Sequence, residues 1–491
     1  MKKFLSKSKY ISGLQCLKLL WYQFNRKKEI PPPGPELLEI FKQGHIVGEL
    51  AHKLYPDGIK IERAWQPESM TKKSLLALQQ RKPLFEAGFT YKSFYAIADI
   101  LVPNDDGSWD LVEVKSSTSV KDENLHDTAF QKYTYEGAGL KINKCYLLHI
   151  NNEYVKNGEI EPKEYFKKEE ITAQVDKLLP GIEKEANAML EMIEQETFPD
   201  IKVGPHCDKP YECPLQDLCW SFLPKEHVFM LHRGNKAAYA LMEQGILKIK
   251  DIPSDYELAD NHLIQVEAHK SKKTYVDKAA IKDFLSEFKY PLYFLDFETI
   301  APAIPIYDQT RPYEDIIFQY SLHVVEKEGA TPVPYSYLAP GDVDPRLEVL
   351  KLLKELLGES GSIVAYNAGY ELKCLKYAVR AYPEYEKWVE GVETRIVDLW
   401  VPFRKFFYYH PAQAGSGSMK KVLPAMTGIT YDGMEIGDGG TARFEYMRVT
   451  YEPGIKADDR QKVRDALEKY CELDTKGMID ILGALERVIG V

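Results

Sequence analysis

Residues 94–117, FYAIADILVPNDDGSWDLVEVKSS, constrain the fold of this chain more than any other stretch. An apolar run from 94 to 102, broken only by Asp99, meets the turn residues Asp105-Asp106-Gly107, and 109–114 resumes with β-rich residues. This pattern predicts a hairpin. Side chains alternate faces along a strand, so Glu113 and Lys115 share one face while Val112 and Val114 take the other. Two carboxylates and an ammonium thus converge on a buried surface, where an unpaired charge is too costly to persist. Two arrangements satisfy them: a salt-bridged sheet face, or a divalent-metal site with a lysine beside it.

At 491 residues the chain exceeds one comfortable core, so two large domains and a connection are expected. The N-terminus MKKFLSKSKY has lysines but no apolar h-region, and no window approaches eighteen apolar residues, which points to a cytoplasmic protein with no membrane partner. A net charge of -10 and a pI near 5.7 argue against coating nucleic acid by bulk charge. Clustered metal-binding carboxylates produce the same balance. Seven cysteines, an odd number in such a chain, point to ligands or buried thiols rather than a disulfide framework.

Before the hairpin, residues 37–55 repeat apolar positions at helical spacing and carry His52, which reads either as a satisfied core histidine or as a ligand. After it, residues 125–139 read as a helix presenting Gln131 and Tyr135 four apart on one face. A strand over 144–150 and a charged helix over 169–193 lead to Cys207, Cys213 and Cys219, spaced by five residues in a Pro-punctuated loop. Three such cysteines need a fourth ligand, and Cys16 is the obvious one. Zinc knuckles use gaps of about two to four residues within a ligand pair, so this spacing suits an iron-sulfur cluster better, with a four-cysteine zinc site as the alternative.

His52, Asp99, Glu113-Val-Lys115 and Gln131-x-x-x-Tyr135, bracketed by one early and three late cysteines, resemble the RecB-like branch of the PD-(D/E)XK nucleases with an iron-sulfur cluster. CRISPR-adaptation exonucleases and the AddB subunit of bacterial recombination nucleases share that arrangement. The resemblance covers residues 1–222 and implies a restriction-endonuclease-like core. It also implies a 4Fe-4S cluster on Cys16, Cys207, Cys213 and Cys219, and a metal ion on His52, Asp99 and Glu113. Lys115 would orient water beside Glu113 and Asp99 as a catalytic group, and Gln131 and Tyr135 would contact nucleic acid. Residues 223–289 read as a helical connector whose HRGNKAAYALMEQGILKIKDIP weakly resembles a small module that binds the DNA backbone.

A second acidic constellation follows. PLYFLDFETI, 291–300, begins as a buried strand and then sets Asp296 and Glu298 on one face. Another apolar strand over 361–366 precedes Asn367-Ala-Gly-Tyr-Glu371 at a helix start. A long C-terminal amphipathic helix carries Val463, Leu467, Tyr470, Asp474 and Met478 along one stripe. The order D-x-E, N-x-x-x-E, Y-x-x-x-D resembles the DEDDy class of RNase H-like 3'-to-5' exonucleases over 290–491, with Asp398 and Ser418-Met-Lys420 at an acid-bearing strand and a helix start. The resemblance implies that Asp296, Glu298 and Asp474 bind divalent ions and that Tyr470 positions the attacking water. Glu371 stands where the family has aspartate, one methylene longer, which bears on the near-ideal geometry that magnesium demands.

The expected fold class is therefore α/β: a restriction-endonuclease-like core at 1–222, a helical connector at 223–289 and an RNase H-like mixed sheet at 290–491. The expected function is a nuclease dependent on Mg2+ or Mn2+, with two sites acting on DNA ends or single strands in repair or defence. The alternatives are a DNA-binding or assembly subunit with one or both sites inactive, and an RNA-processing exonuclease.

Overall fold

In this computed structural model, which describes residues 3–490, the chain is mixed α/β. It divides into two units: the chain up to Ser221 with Pro302–Tyr313, and Phe222–Ala301 with the chain from Glu314 onward. The first unit is built on seven strands, β1 (Leu5–Ser6), β2 (Ile59–Lys60), β3 (Leu84–Tyr91), β4 (Phe94–Pro103), β5 (Trp109–Lys115), β6 (Ile142–Ile150) and β7 (Phe166–Glu170), in the order β2-β3-β4-β5-β6-β7, with β1 parallel to the start of β4. The hairpin forms as β4 and β5, antiparallel, with Gly107 in the left-handed region at the turn. β6 runs parallel to β5, so the intervening helix Asp122–Gly137 is the crossover that parallel strands require.

This helix covers one sheet face together with Lys7–Gln15, Leu17–Asn25 and Thr172–Ile193, over a core that includes Tyr10, Phe89, Phe94 and Phe130. The opposite face carries Phe85, Ile100 and Val112 under Val47, Leu50 and Ala51 of the helix Pro35–His52. One sequence expectation shifts: residues 166–170 form edge strand β7 and the helix begins only at Thr172. In FKKEE only Phe166 is buried, so a charged edge strand serves where a helix was expected to start.

In the second unit, β8 (Tyr275–Val276) precedes β9 (Leu292–Ile300), β10 (Ile316–Val325), β11 (Val333–Leu338), β12 (Ser362–Ala365), β13 (Ile396–Asp398) and β14 (Tyr408–Tyr409). Five of them form a sheet in the order β11-β10-β9-β12-β13, while β8 pairs with β14 apart from it. The first three run antiparallel to one another; β12 is parallel to β9, and β13 to β12. β9 is central, and its apolar residues are buried on both faces. Residues 223–289, read from sequence as a connector, belong to the second unit: His232 Nδ1 lies 2.9 Å from the Gly415 carbonyl oxygen, and Gln265 Nε2 donates to Tyr409 Oη at 3.2 Å. No helix among the described residues is long and apolar enough to cross a membrane.

The helix Gly439–Tyr451 is pinned to β10 by Tyr446, whose ring stacks on the fully buried Phe318 at 3.8 Å. Phe318→Ala is expected to cost about 3–5 kcal/mol and to lower the melting temperature of the second unit by about 10 °C, read by differential scanning calorimetry.

Candidate metal centre and hairpin cluster

In the second unit, β9 directs Leu292 and Phe294 into an apolar cluster with Met478, Ile481 and Leu482 of the helix Ala457–Ile489. Two and four residues further along the strand from Phe294 come Asp296 and Glu298; four and eight residues back along the helix from Met478 come Asp474 and Tyr470. The same packing that seats Met478 therefore carries the acids together. One ligand oxygen from each of Asp296, Glu298 and Asp474 lies within 4.8 Å of the others. Oxygens around an octahedral ion with metal-oxygen distances of about 2.0–2.1 Å are separated by no more than about 4.2 Å, so this set needs little adjustment to converge on one cation.

Electrostatics point the same way. Burial, followed by the charges of Asp474, Glu298 and Glu371, pushes the Asp296 carboxyl well above its ordinary range. Burial and then Asp474 raise Glu298 to about 8, even against Lys420 and Arg443. Burial raises Asp474 to about 7, despite the Tyr431 hydroxyl and Lys420. Glu371, on the first turn of the helix Ala368–Ala378, is raised to about 8 by burial and then by Asp398 and Glu298, and its buried Oε2 has no hydrogen-bond partner. Asp398 instead accepts from the backbone N–H groups of Asn367 and Trp400, each at 3.0 Å. Carboxylates that repel one another, with an orphaned oxygen beside them, are of the donor type that can hold a divalent cation.

Sequence reasoning missed Tyr431 and Arg443 beside this set and named Lys420 only at a helix start. Tyr431, in the loop before Gly439–Tyr451, donates its hydroxyl to Asp474 Oδ1, and its ring lies 6.0 Å from that of Tyr470. The Lys420 ammonium sits over both rings, 5.9 and 5.5 Å from their centroids. Arg443 Nε donates to the Thr299 carbonyl beside Glu298 at 3.1 Å, and the Cys471 thiol lies 3.7 Å from Asp296 Oδ2. Cys471 was detectable from its place within Y-x-x-x-D. Tyr431 carries no periodic signal, because a loop delivers it.

The hairpin in the first unit draws its charges together differently. Glu113 is fully buried; its Oε1 accepts from Lys115 Nζ at 2.8 Å and from Lys7 Nζ at 2.7 Å, and its Oε2 accepts from Gln131 Nε2 at 2.7 Å. Lys115 also donates to Asp127 at 2.7 Å. Asp99 accepts from the Val114 N–H at 2.7 Å, and Lys7 Nζ lies 4.0 Å from its other oxygen. Burial opposes charge on Glu113, yet the ammoniums of Lys115 and Lys7 hold its carboxyl below the ordinary range. Burial and then Glu113 raise Asp99 to about 7.

The structure arranges the residues named for this unit as follows. His52 does not join Asp99 and Glu113 within 4.8 Å; its ring stacks on Phe85 at 4.0 Å, on the sheet face that packs against Pro35–His52. Gln131 and Tyr135 are fully buried: one holds Glu113, the other donates its hydroxyl to the Ala87 carbonyl at 3.2 Å, so neither offers a surface to nucleic acid. Residues four apart on a helix share a face, and here that face meets the sheet. With Lys7 at Glu113 and His52 elsewhere, the hairpin residues as arranged do not fit a divalent ion.

Cys16, Cys207, Cys213 and Cys219, all unpaired, line one pocket with Lys18, Lys202 and His206. No three of their sulfurs lie within 4.8 Å of one another.

Residues 293–418, which include Asp296, Glu298, Glu371 and Asp398, match a family described as a domain of unknown function, DUF2779. The chain is also similar to an uncharacterized protein, UU173, of Ureaplasma parvum serovar 3, at 24% identity over 243 residues, 45% of this chain. The match spans 35% of that relative's length.

The second-unit carboxyls bind protons more tightly folded than unfolded, since their folded values of about 7 to 8 lie above ordinary ones. Without metal, the stability they contribute is full below about pH 4 and is lost as pH rises through 7 to 8. Thermal unfolding in EDTA is expected to show this loss, and Asp474→Asn to flatten it. At pH 8.5, Mg2+ or Mn2+ at about 100 times its Kd is expected to raise the melting temperature by about 5–10 °C.

Proposed function

We propose that this protein is a cytoplasmic, metal-dependent nuclease that hydrolyses phosphodiester bonds at DNA ends or in single strands, in repair or defence, with its hydrolytic centre in the second unit. The observation that carries this reading is the convergence of half-buried Asp296 with buried Glu298 at the end of a central strand and buried Asp474 on the packed helix, a set short of cations. The strand order, three antiparallel then two parallel, supports an RNase H-like assignment for this unit. Asp296, Glu298 and Asp474 would hold Mg2+ or Mn2+, with Glu371 as a further donor; such an ion activates water and neutralises charge developing on phosphate. Tyr470 positions the water, Lys420 lies where it favours a phosphate, and Tyr431 orients Asp474.

For the first unit we propose a PD-(D/E)XK-like core whose four cysteines, which line one pocket, hold a structural 4Fe-4S cluster, the five-residue spacing of the late cysteines favouring it over zinc. A second reading, a DNA-binding or assembly role for this unit, is favoured by one observation: Lys7 and Lys115 already satisfy the carboxylate that catalysis would need free.

The test is anaerobic purification followed by incubation with end-labelled DNA and RNA in Mg2+ or Mn2+. Asp296→Asn and Asp474→Asn are each expected to slow cleavage at least about 100-fold, and Tyr470→Phe less. Full cleavage by both acid variants overturns the assignment; faster cleavage of RNA selects the RNA-processing alternative. Metal analysis of the same preparation is expected to find iron and sulfide with a brown charge-transfer absorption, lost in Cys213→Ser. A colourless protein with stoichiometric zinc refutes the cluster.

A further inference from the structure

Residues 1–28 contain eight lysines and arginines and no aspartate or glutamate, in a chain whose net charge is -10. Two of these cations are taken up internally: Lys3 Nζ lies 3.3 Å from Glu194, and Lys7 Nζ 2.7 Å from Glu113. Arg26 meets Glu29 at 3.6 Å across exposed side chains. Among the described residues, Lys9, Lys18, Lys27 and Lys28 have no carboxylate within ion-pair distance. We infer that these four lysines bind the phosphate backbone of a nucleic acid strand. This rests on the choice of nucleic acid as partner in the function proposed above, and names a surface of the first unit that holds it.

The lysines lie on one continuous and well-anchored surface. The helix Leu17–Asn25 buries Leu19, Leu20, Trp21 and Tyr22, and Trp21 Nε1 donates to the Gln195 carbonyl at 2.9 Å. Lys18 Nζ sits 4.5 Å over the Phe198 ring, Phe198 meets Trp21 edge-on at 5.8 Å, and Arg26 lies 5.5 Å over Trp21. Lys27 and Lys28 follow on the exposed turn Lys27–Glu29. Lys9, from the helix Lys7–Gln15, holds its ammonium 3.5 Å over the Phe24 ring, close enough to Lys27 that burial and then the Lys27 charge lower it from the ordinary lysine range. Stems held over rings have lost part of their freedom already, so less ordering remains to oppose binding.

Charge and shape select the ligand. A half-buried ammonium beside a second one, with no acid to answer either, is relieved by an anion. A row of such groups matches a polyanion better than a single small ion. A lipid surface is disfavoured, because an interfacial helix needs an outward apolar face, and on Leu17–Asn25 that face is in the core. The acidic remainder of the chain confines phosphate binding to this patch, which reconciles it with the net charge.

The experiment reads binding without cleavage. Full-length protein carrying Asp296→Asn and Asp474→Asn is titrated, in EDTA, onto fluorescein-labelled oligothymidylate, with anisotropy recorded over a salt series. The triple variant Lys9→Gln, Lys27→Gln, Lys28→Gln is compared with arginine at the same positions. The double variant Lys27→Gln, Lys28→Gln leaves the half-buried Lys9 in place, and circular dichroism checks folding. The triple glutamine variant is expected to bind at least about 20-fold more weakly at about 50 mM salt. Its slope of log K against log salt is expected to fall by about 2, and that of the double variant by about 1.4, at about 0.7 per lost contact. The arginine variant is expected to keep the parent slope. An unchanged slope in the folded double variant, an equal loss with arginine, no binding by the parent, or a preference of the parent for phosphatidylserine vesicles overturns the inference. Salt-dependent binding lost in the glutamine variants, in a protein whose native chain does not cleave, removes the nuclease reading and leaves this surface; cleavage by the native chain with an unchanged slope in the double variant does the reverse.

Discussion

Mutual repulsion among buried carboxylates is the constraint on which the second unit depends. Asp296 and Glu298 end a strand whose preceding residues are core, Asp474 lies in the buried stripe of the longest helix, and Glu371 opens another. The apolar packing around Phe294 and Met478 would form with leucines in their places, so fold stability alone does not account for the acids. Their charge is tolerated because Lys420 and Arg443 approach from other elements and because protons stay bound to pH values at which exposed acids have lost them. Such a set resists ionisation at neutral pH.

The two units treat the same problem in opposite ways. At the hairpin, ammoniums from Lys7 and Lys115 sit within hydrogen-bond distance of one carboxylate, and Gln131 takes its other oxygen. At β9 the Lys420 ammonium is held over aromatic rings. One cluster is internally neutralised; the other is left short of positive charge. That difference, more than burial, separates a structural ion-pair network from a receptive site.

Much of this was legible in the sequence, and the boundary of legibility has a physical cause. Strand alternation fixed the shared face of Glu113 with Lys115 and of Asp296 with Glu298, and helical spacing put Tyr470 and Asp474 together, because these relations are local. What faces each element is not local. The helix that bears His52 packs so that its ring stacks on Phe85, and Gln131 and Tyr135 turn inward because their helix face meets the sheet. Lys7 reaches Glu113 across 106 residues and Tyr431 reaches Asp474 across 43, and short polar segments of this kind carry no periodicity to announce a partner. The spacing of the late cysteines signalled a shared site, while the lysines and histidine that line it with them emerged only from three-dimensional placement.

The helix Lys7–Gln15 has Cys16 as its C-cap, so ten consecutive residues supply both a lining group of the cysteine pocket and the cation at the hairpin. In evolutionary terms these two features are inherited as one cassette. A deletion, an altered start site or a proteolytic nick that removes this stretch unmakes both at once, whereas drift in the late cysteine loop can alter only one. Homologues in which the early cysteine has been lost are therefore where the hairpin should also be found rebalanced, with a different residue answering Glu113.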